Sequence, residues 1–191
     1  MRIAFVGAQG TGKTTLVNKL AGHGGYDNWN HIYHEVVREL VKTKGIKINR
    51  DGDNYSQDLV SVTHLNNAME AYYNKPNALF DRCIIDSHAY GMTCSNVNVK
   101  SLDFSRHMID VIFKNYPYDL LVYVPPYNEF LKEDGVRDTD SKYQHQVDQN
   151  MRNLIKCVEE DYAVDVLRIS EIGIDQRVNE IIQYLEHCKG E

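Results

Sequence analysis

No stretch of this 191-residue chain approaches the run of apolar residues that a membrane-spanning helix needs, so no transmembrane segment is expected. Its four cysteines (Cys83, Cys94, Cys157 and Cys188) form no Cys-x-x-Cys pair. That removes the common zinc and dithiol patterns and leaves free thiols in a reducing, cytoplasmic setting as the expectation. There is no excess of positive charge either, because 21 Lys+Arg stand against 27 Asp+Glu for a formal net charge of −6. A nucleic-acid partner would need a local basic patch rather than a general attractive field. Internal repeats and low-complexity segments are absent. So is the Asn-Lys-x-Asp motif by which a GTPase reads guanine. The eight histidines assemble no evident metal site, since His31 and His34 fall on opposite faces of a strand. The chain enters a strand at once, so no cleaved leader is expected.

What is present is ordinary in amount and regular in order. Hydrophobic content of 42% and charged content of 25% suit a globular protein, and the length suits one domain spanning 1–191. Short apolar runs alternate with longer helical periods, which predicts a parallel sheet covered by helices. The expected strands are 2–6, 31–34, 77–80 (ending at Asp81-Arg82), 120–124 and 164–169. Helices are expected over about 13–21, over the segment carrying Val36, Val37, Leu40 and Val41 before Gly45, and over 54–73, 104–113, 143–162 and 175–187. Leu59, Val62, Leu65, Met69 and Tyr72 recur at helical spacing in the third of these. Residues 127–142 are polar and charged around Gly135 and are read as a loop that could act as a lid. In a doubly wound sheet of this kind, ligands sit at the carboxyl ends of the strands.

The most informative stretch follows the first strand. Residues 7–14 read Gly-Ala-Gln-Gly-Thr-Gly-Lys-Thr, a complete G-x-x-x-x-G-K-T phosphate loop between a strand and a helix. Gly7, Gly10 and Gly12 free the backbone so that successive amides can face phosphate oxygens. Thr11, Gly12, Lys13, Thr14 and Thr15 lead into a helix N-terminus that favours an anion. Lys13 is expected on the β- and γ-phosphates of ATP and the Thr14 hydroxyl on Mg²⁺. A plain glycine turn with a surface lysine is the alternative, and the flanking elements argue against it.

Further candidates lie just past the other strands. Glu35 could accept a hydroxyl proton or anchor a sugar, with Arg38 gripping phosphate or ribose; a solvated intrahelical Glu35/Arg38 pair is the bland alternative. Asp81 is the expected metal-side carboxylate, Arg82 a clamp on substrate, and Asp86 the other candidate base. The alternative there is a helix cap at Asp86 and a surface Arg82. Arg137, in the charged loop, could stabilise transition-state charge on closure. Tyr90 and Tyr127, near strand ends, are the aromatics placed to stack on a base.

These pieces together resemble small P-loop kinases of the nicotinamide-riboside-kinase-like and thymidylate-kinase-like kind. The resemblance rests on Gly7–Thr14, Glu35-x-x-Arg38-Glu39-Leu40, Phe80-Asp81-Arg82-x-x-x-Asp86, Tyr118-Asp119-Leu120 and Asp134-Gly135-Val136-Arg137. It is also similar to the kinase domain of bifunctional NAD-biosynthesis proteins, although no adenylyltransferase domain is attached. It implies a five-stranded parallel sheet and transfer of the γ-phosphate of ATP, with Mg²⁺, to a nucleoside or nucleotide. Some viral relatives act on hydroxymethylated pyrimidines in DNA, so DNA modification is one alternative, and a non-kinase P-loop ATPase switch is another. A hexameric motor would call for a further helical domain that this sequence does not contain. The expected partner is a small-molecule acceptor, with nucleic acid and a homodimer left open and no membrane.

Overall fold

The computed structural model describes residues 1–23, 29, 31–75, 77–127 and 140–189. Five parallel strands among them form one sheet in the order β2-β3-β1-β4-β5. They are β1 (Arg2–Val6), β2 (His31–Tyr33), β3 (Ala78–Asp81), β4 (Leu120–Tyr123) and β5 (Asp165–Arg168). The helices are α1 (Lys13–Ala21), α2 (Val36–Lys44), α3 (Asn54–Asn74), α4 (Ile84–Gly91), α5 (Val99–Asn115), α6 (Ser141–Tyr162) and α7 (Ile174–Lys189), with a 3₁₀ turn at Asn49–Asp51. The parallel α/β sheet expected from the alternation is present. Among the described residues no helix is long and apolar enough to cross a membrane.

Both faces of the sheet are covered at its centre, which explains why β1, β3 and β4 are buried along nearly their whole length without alternation. Ile3 and Phe5 join Leu79, Leu120 and Val122 against α1 (Leu16, Val17, Leu20) and α7 (Val178, Ile181, Leu185). Ala4 and Val6, on the opposite face, join Phe80 and Leu121 against α4, α5 and α6. The expected stripe of α6 is all buried here: Val147, Met151, Leu154, Ile155 and Val158. The register sets Asp81 beside Phe5 and Tyr123 beside Val6, so β3, β1 and β4 deliver their ends to one edge.

Two expectations need correction, and one helix was not expected at all. After β3 the chain turns at Cys83 into α4, a helix missing from the expected set. There the Cys83 side chain accepts from the third helical amide while the Asp86 carboxylate accepts the Cys83 N–H at 3.0 Å. This is a capping box with cysteine where serine or threonine is usual, which hid the start signal. Helix α5 begins at Val99, five residues before the expected Phe104, because the Asn98 side chain accepts from Ser101 N and caps it there. The buried side of α3 is also not its apolar stripe. Val62, Met69 and Tyr72 are 47%, 36% and 46% exposed, whereas Gln57, Val60, Ser61, His64, Ala68 and Ala71 face inward. Strand ends differ by one or two residues, as frayed termini do.

Candidate functional site

The phosphate loop is built where β1 ends. A Cβ on Gly7 would lie 2.4 Å from the Val124 carbonyl oxygen, so only glycine lets the loop leave the sheet this close to β4. Gly12 adopts φ 86° and starts α1, a conformation that other residues enter at a cost. Lys13 is buried, and its Nζ donates to the carbonyls of Gly7 and Ala8, both at 2.7 Å, and to Thr11 Oγ1 at 3.2 Å. The ammonium thus spans the mouth of the loop. Burial, then the nearby Arg82 charge, lower its pKa from 10.5 to about 7 against the pull of Asp86, Asp81 and Glu35.

Thr14 and Asp81, expected to share a metal, are in direct contact. The Thr14 hydroxyl donates to Asp81 Oδ2 at 2.6 Å. Asp81 is only 2% exposed, and its other oxygen, Oδ1, is buried with no hydrogen-bond partner among the described residues. A buried carboxylate oxygen without a partner is costly unless something else meets it. Among the described residues no cluster of three His, Cys, Asp or Glu could hold a metal alone. The donor set therefore fits Mg²⁺, which takes one or two protein oxygens and shares the rest with water and phosphate.

Glu35, Arg82 and Asp86 form a chain between the loop and a neighbouring cavity. Arg82 Nε donates to Glu35 Oε1 at 2.8 Å, and its Nη1 lies 3.3 Å from Asp86 Oδ1 and 3.5 Å from the Gly7 carbonyl. Its backbone sits at φ 87°, in the left-handed region, while its N–H bonds the Phe5 carbonyl at 3.1 Å. Such a conformation costs on the order of 1–3 kcal/mol and persists where surrounding bonds over-determine it. Burial opposes the charge of Arg82, but Glu35, Tyr90, Asp86 and Asp81 outweigh it and keep the guanidinium protonated. Burial would likewise raise Glu35, yet Arg82, Arg38 and Lys13 together hold it at about 2. The expected Glu35/Arg38 pair exists, with Nε to Oε2 at 2.8 Å, so the bland alternative and the site coincide.

Asp86 is both the helix cap of the bland alternative and a member of this chain. Burial raises its pKa against the pull of Arg82, Lys13 and the amides of Cys83 and Gly7, and the Gly7 N–H points at its Oδ1 at 3.4 Å. Tyr90 lies under the Arg82 guanidinium at 5.5 Å and donates its hydroxyl to Gln9 Oε1 at 2.7 Å, while Gln144 Nε2 holds the Gln9 carbonyl at 2.7 Å. These contacts fix the loop's outer wall. Tyr127 stacks with the Arg177 guanidinium at 5.1 Å.

Arg177 was not singled out from sequence. It is buried in the first turns of α7, donating to the Thr11 carbonyl at 2.8 Å and the Glu171 carbonyl at 2.9 Å. It thereby ties the phosphate loop to the segment after β5 and to Tyr127 after β4. Only the position of an arginine early in the last helix of a P-loop sheet could have drawn attention to it. Arg137, Gly135 and most of the 127–142 loop lie outside the described residues.

A family described as AAA domain matches residues 2–171. The chain belongs to the AAA domain family. Solved structures that this AAA domain protein is similar to include a deoxyadenosine kinase from M. mycoides with dCMP and dCDP bound. That likeness has a TM-score of 0.69 at 18% identity and covers 98% of this chain and 100% of that one. NadR protein in complex with NR gives a TM-score of 0.72 at 18% identity over 96% of this chain, but only 51% of that one. Thymidylate kinase from Candida albicans gives 0.65 at 15% identity, covering 98% and 92%. At these identities the likeness is one of fold, and it is the fold of the small P-loop kinases that the motifs resemble. Comparison with curated protein sequences gives no match.

Proposed function

We propose that this AAA domain protein is a kinase that moves the γ-phosphate of ATP to a hydroxyl of a nucleoside or nucleotide. The observation that carries this is the Glu35–Arg82–Asp86 chain, which joins the phosphate loop to an adjoining cavity lined by Glu35, Arg38, Arg82 and Asp86 and, from the loop itself, Gln9. A switch or a motor needs a donor site, whereas a transferase needs an acceptor site within reach of it. The fold likeness to a deoxyadenosine kinase, NadR and a thymidylate kinase supports the same reading.

On this reading the loop amides and Lys13 hold the donor phosphates, Lys13 trading the Gly7 and Ala8 carbonyls for phosphate oxygens. Mg²⁺, held by Thr14 and Asp81, would neutralise charge developing on the β/γ oxygens. Glu35 accepts the acceptor's hydroxyl hydrogen and sets its direction. A carboxylate held at about 2 is a weak base while Arg82 pairs with it, so Glu35 orients rather than deprotonates until Arg82 turns toward phosphate. Asp86, committed to the Cys83 and Gly7 amides, holds Arg82 and the loop instead of meeting substrate. Arg38 and Arg82 then bind the acceptor or the transferring group.

An ATP-consumption screen over nucleosides, nucleoside monophosphates, nicotinamide riboside and hydroxymethylpyrimidine-containing DNA tests this proposal. At least one small acceptor should drive turnover that Lys13→Ala abolishes. Hydrolysis that no acceptor stimulates would refute the kinase reading, and turnover on the DNA alone would replace the small acceptor.

A further inference from the structure

The cavity beside Glu35 takes in about 720 Å³, open solvent at its mouth included. Val37, Ile48 and Val60 supply apolar wall, and Gln57, His64 and Ser87 are among the polar residues beside them. Most of this polar set is already satisfied from within. Gln57 Nε2 donates to the Ser87 carbonyl at 2.8 Å and to Ser87 Oγ at 3.1 Å. Ser61 Oγ bonds the Gln57 carbonyl at 2.8 Å and lies 3.1 Å from Ser87 Oγ.

His64 is different. It is 3% exposed, it lines the cavity, and its Nε2 is buried with no hydrogen-bond partner among the described residues. An orphaned polar nitrogen in the wall of a ligand cavity is one that a ligand can complete. Resting on the kinase reading above, we propose that this cavity receives the uncharged heterocyclic base of the acceptor and that His64 Nε2 hydrogen-bonds its edge. His64 is then a specificity-determining residue.

The electrostatics agree with that geometry. Burial, then the charge of Arg82, lower the His64 pKa to about 3, so its ring is neutral at pH 7 and offers one donor and one acceptor nitrogen. Against His64 the Arg82 charge likewise opposes a permanently charged pyridinium ring, countering the pull of Glu35 and Asp86 elsewhere in the cavity lining. An uncharged purine or pyrimidine, whose edge carries N–H and carbonyl or ring-nitrogen groups, meets His64 without that penalty.

Calorimetric titration of wild type and His64→Leu with 2′-deoxyadenosine, thymidine, nicotinamide riboside and base-free methyl riboside tests the assignment. Thermal melts would confirm that each variant is folded. Wild type should bind a neutral nucleoside more tightly than methyl riboside or the pyridinium nucleoside. His64→Leu should narrow the gap over methyl riboside by roughly 3–10-fold, the worth of one neutral hydrogen bond, and leave methyl riboside itself unchanged. His64→Gln, which keeps a polar nitrogen in reach, should recover much of the gap. Equal gaps in wild type and His64→Leu would mean that water meets Nε2, which overturns the assignment and leaves the kinase reading standing. Preference for the pyridinium nucleoside over both neutral ones would overturn the uncharged base. Failure of wild type to bind either neutral nucleoside would overturn this assignment, while the kinase reading still stands or falls on the acceptor screen above.

Discussion

Replacing Glu35 by glutamine separates its two roles, because the change keeps shape and removes charge. In the native protein both carboxylate oxygens are engaged at 2.8 Å, one by Arg82 and one by Arg38, and the pair with Arg82 is largely shielded from water. A fall in pKa from 4.5 to about 2 corresponds to about 3 kcal/mol of stability at about 1.4 kcal/mol per unit. The sign follows from linkage. Because the folded pKa is depressed, the contribution is complete above about pH 4.5 and is lost as pH falls toward 2. Urea unfolding should therefore show Glu35→Gln about 3 kcal/mol less stable than wild type at pH 6, with the difference shrinking to roughly 1 kcal/mol at pH 3. Arg82 keeps Asp86 as a partner in the variant, so the protein should still fold. Phosphoryl transfer should drop by roughly 10²–10⁴-fold while ATP affinity barely changes. A pH-independent stability difference would refute the electrostatic account of Glu35. An unaffected transfer rate would move its role to Asp86 and make Asp86→Asn the decisive variant.

Lys13, with its pKa lowered to about 7, should take up roughly 0.9 proton when a non-hydrolysable ATP analogue binds at pH 8. Calorimetry in buffers of different ionisation enthalpy measures that uptake, and Lys13→Met should abolish it. Because the folded state binds this proton less tightly, wild-type stability should also climb between pH 7 and 10, a slope that Lys13→Met flattens. Asp81→Asn should raise the Mg²⁺ concentration for half-maximal activity by about 10–100-fold, and Thr14→Ala by less, since Asp81 supplies the charge. Unchanged Mg²⁺ dependence in both would remove them from the metal site. Arg177→Met frees the Thr11 and Glu171 carbonyls and should lower the melting temperature by roughly 5–10 °C, with weaker binding of the ATP analogue. Normal analogue affinity in a destabilised variant would mean that Arg177 serves the fold alone.

How legible the protein is from sequence differs sharply between its donor and acceptor sides. Strands β1 (after Arg2) and β4, apolar and buried, announce a buried parallel sheet, and the phosphate loop names its chemistry because backbone amides need glycine at fixed places. Glu35, Asp81, Arg82 and Asp86 could be picked out because each lies at or just past the end of a strand, where the topology puts ligands. What spacing could not supply was their mutual contact, since Glu35 and Arg82 are 47 residues apart and meet only when β2 pairs with β3.

The wall of the proposed acceptor cavity is illegible for a physical reason, and α3 makes the case. Apolar periodicity locates a buried face only when that face packs on a core. The inward face of α3 instead carries Gln57, Ser61 and His64, with Gln57 and His64 lining a cavity. Gln57 and Ser61 bond Ser87 and each other there, and on the proposed reading His64 meets the acceptor, so this stretch of the helix has no strong apolar stripe on its buried side. Leu59 and Leu65 still pack against core, while Val62, Met69 and Tyr72 reach the surface, so the spaced apolar residues divide between two environments. A sequence reader who follows hydrophobicity is led to the wrong face of a helix that borders a site. Conversely, a long helix whose apolar spacing points outward while His, Gln and Ser share the opposite side is itself a sign that the polar side lines a cavity.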